Sequence, residues 1–165
     1  MNNEERFIWL NGDIIPISEA KINVLSPTSQ FGANVFEGIR CYWNADQHEL
    51  YAFKLAEHYK RLKNSIKMFR LSDKYSEAEM QQGLVDVIRA NNYKEDIAVR
   101  QTVFIDGFGS WMAKEPLGMF IAPIHKSRIH DPEFGINCCV SSWKRISDEN
   151  MSPKVKVGAN YINSR

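Results

Sequence analysis

The sequence predicts an α+β fold, on three observations. Two amphipathic helical stretches follow one another over residues 55–69 and 76–92. Short β-patterned runs flank them on both sides, and an Asn-Gly pair joins the first two runs. New β-patterned sequence then begins at Ile136, past a polar stretch. The expected organisation is a small two-helix-plus-sheet lobe over residues 1–125, a linker over 126–135, and the first segment of a second lobe over 136–165.

Phe7-Ile8-Trp9-Leu10 and Ile14-Ile15-Pro16-Ile17 read as strands around Asn11-Gly12, which supplies the positive φ values of a tight hairpin. Pro16 lacks an N–H, so the second strand lies at an edge or ends early. Ile22-Asn23-Val24 alternates, and Ser26-Pro27-Thr28-Ser29-Gln30 breaks the pattern as a loop. The run from Val35 to Trp43 alternates as a strand, with Glu37 and Arg40 on opposite faces. One of the two must therefore point to an otherwise apolar face or into a site. Asn44 to Gln47 turns the chain, and Leu50 to Phe53 returns it.

Leu55, Tyr59, Leu62, Ile66 and Phe69 share one helical face, and Arg61 lies off it. Ser76 and Glu79 have the spacing of a capping box before Met80, Leu84, Val87 and Ile88, and Asn91-Asn92 ends that helix. Ile97 to Ile105 and Leu117 to Ile124 are strand-like. His130-Asp131-Pro132-Glu133 sits in the polar linker, with Asp131 and Glu133 read as solvated. Ile136 to Trp143 reads as a strand, with Cys138 and Cys139 as small core residues.

At 165 residues the chain has the length for one proper core, and its nine Phe, six Tyr and four Trp argue against disorder. A net charge of +1 gives no field that would draw nucleic acid or an anionic membrane. No apolar run approaches the ~18 residues of a membrane span, no secretory signal is visible, and three thiols fit a reducing cytoplasm. The four histidines have no metal-ligand spacing, and neither a P-loop nor a nucleophile elbow is present. His58 beside a helical stripe reads as structural.

What remains is lysine chemistry. In Lys154-Val155-Lys156-Val157-Gly158-Ala159-Asn160-Tyr161 the alternation turns Val155 and Val157 toward a core and Lys156 away from it. Gly158 would let a planar ligand approach, and Tyr161 could meet an oxygen on that ligand. A solvated lysine is the commoner outcome for such a pattern taken alone.

The order and spacing of several runs add to this. They are Ile8-Trp9-Leu10-Asn11-Gly12, Phe31-Gly32-Ala33-Asn34-Val35-Phe36-Glu37-Gly38-Ile39-Arg40-Cys41-Tyr42, and Glu57-His58-Tyr59-Lys60-Arg61-Leu62. Asp86-Val87-Ile88-Arg89 with Asn91-Asn92, Val140-Ser141-Ser142-Trp143 with Arg145, and Lys156-Val157-Gly158-Ala159-Asn160-Tyr161 complete the set. Together they resemble the fold-type IV pyridoxal-phosphate enzymes, and most closely the branched-chain amino acid aminotransferases. The resemblance covers the whole chain.

The resemblance implies that Lys156 is the Schiff-base lysine and moves the substrate proton, and that Tyr161 hydrogen-bonds the O3′ of pyridoxal 5'-phosphate. It implies that Arg61 binds the cofactor phosphate, so that its loss should weaken cofactor retention far more than folding. Phe36 would line the side-chain pocket, and Arg100 would meet the distal carboxylate of glutamate. Phe31, on the substrate side, stands where a tyrosine is usual. Ala98 replaces another tyrosine and Ile124 another aromatic, which leaves the amino donor open. The implied reaction exchanges an amino group between a branched-chain L-amino acid and 2-oxoglutarate, in a homodimer.

The resemblance also implies that the chain is an N-terminal half, inactive alone, whose second lobe is α/β-barrel-like. The remainder, in the same polypeptide or as a separate C-terminal fragment, would supply the carboxylate for the pyridine nitrogen and most of the phosphate cup. The rivals are a D-amino-acid aminotransferase or aminodeoxychorismate lyase of the same fold type, and a non-catalytic assembly module.

Overall fold

The computed structural model describes residues 6–126 and 135–164. His130, Asp131, Glu133 and nearly all of the expected linker lie outside the described residues. Six strands form one antiparallel sheet: β1 (Phe7–Leu10), β2 (Asp13–Pro16), β3 (Asn34–Asn44), β4 (Glu49–Ala52), β5 (Ile97–Ile105) and β6 (Leu117–His125). Their order is β2-β1-β6-β5-β3-β4.

The hairpin forms as the sequence predicts, with Asn11 at φ 54° and Gly12 at φ 116°. β2 is an outer strand and also stops at Pro16. Asn11 then ties the hairpin to β6, since its N–H donates to Met119 O and its side-chain oxygen accepts from Met119 N.

Three helices follow the local signals. α2 (Leu55–Met68) and α3 (Glu77–Asn91) match their apolar stripes. The capping box of α3 is complete: Ser76 Oγ accepts from Glu79 N, and Ser76 N donates to Glu79 Oε2. The stretch expected to be a loop instead contains α1 (Pro27–Phe31). Ser26 caps it by accepting from Ser29 N, Pro27 occupies the first turn, and Gly32 at φ 67° ends it. Each end signal is strong enough to close a single turn.

β3, β5 and β6 pair along most of their length, so the face of each residue follows from strand parity. Val35, Ile39, Cys41, Ile97, Val99, Val103, Met119 and Ile121 are buried against Tyr59, Leu62 and Ile66 of α2 and Met80, Leu84 and Val87 of α3. On the opposite face lie Phe36, Gly38, Arg40, Ala98, Arg100, Ala122 and Ile124. No described helix is long and apolar enough to cross a membrane.

Beyond the sheet the structure departs from the sequence expectation. No strand forms over residues 136–143 among the described residues, and Ile136, Val140 and Trp143 are exposed. Cys138 and Cys139 are exposed too, and only Cys41 belongs to the core. A strand needs a neighbour's ladder and a covering layer, and no described element pairs with this stretch.

Candidate active site

The distal end of the chain returns to the sheet at a gap. β4 pairs only with Cys41 to Asn44, which leaves that edge of β3 open at Val35 and Phe36. Val157 bridges Val35 there in antiparallel fashion, and Phe36 N donates to Lys156 O at 3.0 Å. Val155 and Val157 therefore turn into the core, while Lys156 emerges on the face that carries Phe36. Ser65 of α2 fixes the register by accepting from Lys156 N at 3.1 Å.

A 3-10 turn over Gly158–Ser164 follows, and it lies against α1 and the start of β3. A Cβ on Gly158 would fall 2.9 Å from Asn34 Oδ1, so the space opened by this glycine is filled by Asn34. That corrects the expectation of a planar ligand in this space. Close packing of the turn is what demands the glycine.

The turn brings Tyr161 back over Lys156. Lys156 Nζ donates to the Tyr161 hydroxyl at 2.9 Å and lies 4.7 Å from the Phe36 ring centroid. The two rings are 5.3 Å apart, tilted by 56°. Arg100 reaches from β5, where it faces Gly38, and sets its guanidinium 4.3 Å from the Phe36 centroid. Arg145 sits 5.2 Å from the Tyr161 centroid. Three cations thus rest on two ring faces, which attract positive charge.

Burial pushes the Tyr161 phenol up, but the hydrogen bond from Lys156 and the charges of Lys156 and Arg145 outweigh it. The net result lies below the usual tyrosine value, because a nearby cation stabilises the phenolate. Tyr59, Tyr75 and Tyr93 are all pushed up by burial. A near-ultraviolet titration should therefore show Tyr161 ionising at lower pH than those three, with Tyr161→Phe removing the early phase. Lys156→Met should move that phase to higher pH; an unchanged phase would mean the 2.9 Å hydrogen bond is absent in solution.

Glu37 resolves the question that its strand pattern posed. It lies on the helix-covered face between Val35 and Ile39 and is fully buried. α2 brings two partners, one turn apart. Arg61 donates from Nε to Oε1 at 2.5 Å and from Nη2 to Oε2 at 2.6 Å, and His58 Nδ1 lies 2.8 Å from Oε2. Burial raises the Glu37 carboxyl, and the hydrogen bonds and charges of Arg61 and His58 more than reverse this, holding it below the usual range.

Beside any role toward the cofactor phosphate, Arg61 therefore also supports the fold through this pairing, so its loss should cost stability as well. That loss would leave a buried carboxylate short of its main partner, which is strongly destabilising. The cluster escaped the sequence reading although its signals were present. A charge on an apolar strand face and an off-stripe arginine beside a histidine, one turn apart, are complementary once the helix lies on the strand.

Two departures on the substrate side also meet. Ala98 stands opposite both Arg40 and Ile124, two residues along β5 from Arg100 and on the same face. Phe31, at the end of α1, is 54% exposed and makes none of the ring contacts that join Phe36, Arg100, Lys156 and Tyr161.

The profile of the family described as Amino-transferase class IV matches residues 34–164, and the chain belongs to that family. The branched-chain-amino-acid aminotransferase of Salmonella typhimurium is 33% identical over 165 residues, covering 96% of this chain and 52% of that protein. The crystal structure of branched-chain aminotransferase from the thermophilic archaeon Thermoproteus uzoniensis, with norvaline, superposes with a TM-score of 0.87 at 34% identity. It covers 96% of this chain and 53% of that one. The branched-chain amino acid aminotransferase of Thermobaculum terrenum, in its PLP-form (holo-form), superposes with a TM-score of 0.83 at 31% identity, over 99% of this chain and 54% of that one. The chain thus spans about half the length of the relatives it matches.

Proposed function

We propose that the protein carrying this chain is a pyridoxal-phosphate aminotransferase that exchanges an amino group between a branched-chain L-amino acid and 2-oxoglutarate. The observation that carries this reading is the Lys156 amine, hydrogen-bonded to Tyr161 and seated over Phe36. Among the described residues no carboxylate pairs with Lys156, Arg100 or Arg145. An amine, a phenol and cations without a carboxylate partner, set over two aromatic walls, form a donor set that fits a planar anionic aldehyde.

Pyridoxal phosphate, when bound, supplies a carbonyl that condenses with amines and a ring that stabilises the electron pair left at an amino acid's Cα. Lys156 holds it through the amine and moves the proton to and from the substrate Cα. Tyr161, its phenol eased toward ionisation, hydrogen-bonds the phenolic oxygen beside that amine. Arg61 binds the phosphate with the guanidinium donors that Glu37 leaves over. Phe36 walls the substrate side chain, Arg100 receives the distal carboxylate of glutamate, and Phe31 adds apolar surface on the substrate side.

In this reading residues 1–125 are the small lobe, 126–135 the link, and 136–165 the start of the cofactor-binding lobe. The exposed apolar run around Val140 then packs against the rest of that lobe. Two copies form a homodimer in the cytoplasm.

The test uses the full-length gene product. Pyridoxal phosphate is added, borohydride reduction follows, and the peptides are weighed. A stable mass increment on Lys156 is the expected result; one on Lys154, or on no lysine, sinks the proposal. Turnover of L-leucine, L-valine or L-isoleucine with 2-oxoglutarate then tests the substrate class, and turnover of D-amino acids alone would replace it.

A further inference from the structure

We infer that Glu37 is a positioning residue for phosphate: it locks the Arg61 guanidinium so that its remaining donors are aimed at the cofactor's phosphate before the cofactor arrives. The inference rests on the reading above that Arg61 holds that phosphate.

A guanidinium has five N–H donors in a rigid plane. Glu37 accepts from Nε and from Nη2, the two that form one edge of that plane, at 2.5 and 2.6 Å. Nη2 also lies 3.3 Å from His58 Nδ1. Among the described residues this leaves the Nη1 donors, on a side chain that is 50% exposed, without a partner and open to an incoming anion. The carboxylate cannot turn away to follow Arg61, because it is fully buried and also receives Gly38 N and His58. The fork is therefore held at its fixed end by the sheet, and the arginine is the member that gains order.

The placement ties this lock to the candidate site. Glu37 follows Phe36 on β3, so one strand presents the aromatic wall on one face and the anchor on the other. Arg61 and Ser65 lie four residues apart on α2, where they are neighbours on the helix surface. One binds Glu37 and the other binds Lys156 N. The same helix thus sets both the phosphate donor and the lysine. A half-exposed arginine needs no buried carboxylate for its own solvation, and an apolar side chain at Glu37 would suit the surrounding core. Preorganising the guanidinium accounts for the buried charge, since an arginine frozen beforehand loses less rotamer freedom on binding.

The test compares pyridoxal phosphate with pyridoxal, which lacks only the phosphate, as equilibrium-binding probes of the full-length gene product. The variants are Glu37→Gln, which keeps the side chain's shape, and the double variant Glu37→Gln/Arg61→Ala. Neither leaves a buried carboxylate unpaired. Glu37→Gln should lose roughly tenfold of the preference for pyridoxal phosphate over pyridoxal, with pyridoxal affinity unchanged.

If Glu37→Gln keeps the preference and only the double variant loses it, Arg61 binds phosphate without the lock, and the inference is overturned. If neither variant alters the preference, the assignment of Arg61 to phosphate falls as well. Equal weakening of both probes in Glu37→Gln would make Glu37 a general structural residue and overturn its positioning role.

Discussion

With Lys156 replaced by alanine, transamination by the full-length protein is expected to fall by at least about 10²–10⁴-fold, the range for loss of one proton-transferring group. The reducible attachment of pyridoxal phosphate should vanish with it. The fold should survive, because what anchors this residue is backbone. Lys156 N still donates to Ser65 Oγ, and Lys156 O still accepts from Phe36 N, whatever the side chain. The Tyr161 hydroxyl loses its donor but is half-buried and can turn to water. Activity and the melting midpoint should therefore separate, with the midpoint nearly unmoved. Turnover close to that of the parent would remove Lys156 from the chemistry. An equal loss in Lys154→Ala would place the wrong lysine at the site.

Leu62→Ala should carry the largest cost in stability, about 2–5 kcal/mol for a buried leucine whose cavity cannot collapse. Leu62 is fully buried at the centre of the α2 stripe, between Tyr59 and Ile66, and packs into the core beneath β3. Its neighbour in sequence is Arg61, and Ser65 lies one turn on, so loosening this seat also loosens both contacts to the candidate site. Urea unfolding should show a lower midpoint at an unchanged slope. Lys60→Ala and Lys67→Ala, on the exposed side of the same helix, should stay within about 0.5 kcal/mol. A Leu62→Ala midpoint equal to theirs would mean α2 is not docked by this stripe.

Much of the fold was legible because its signals are local. The Asn-Gly hairpin, the stripe from Leu55 to Phe69, the capping box at Ser76 and the β-branched run from Ile97 to Ile105 each specify an element from within a few residues. α1 is equally local, but its Ser-Pro start and glycine end have the composition of a loop as well as of a single capped turn. Ile136 to Trp143 fails differently. Its apolar character is plain, yet no described partner strand or covering layer turns that character into a strand or buries Cys138 and Cys139.

The candidate site divides along the same line. Alternation in Val155-Lys156-Val157 determined that the lysine faces away from the core, since side chains of an extended segment take opposite sides. Strand parity likewise determined that Glu37 and Arg40 could not share a face. Only the tertiary structure decided which of that pair is buried, because the answer depends on where α2 lies. It also decided that the gap left by β4 receives residues 155–157, that Tyr161 folds back onto Lys156, and that Asn34 claims the space beside Gly158. Each of these depends on how separate segments meet. Spacing along a sequence specifies which face a side chain takes; what it meets there depends on packing between elements, which no single segment contains.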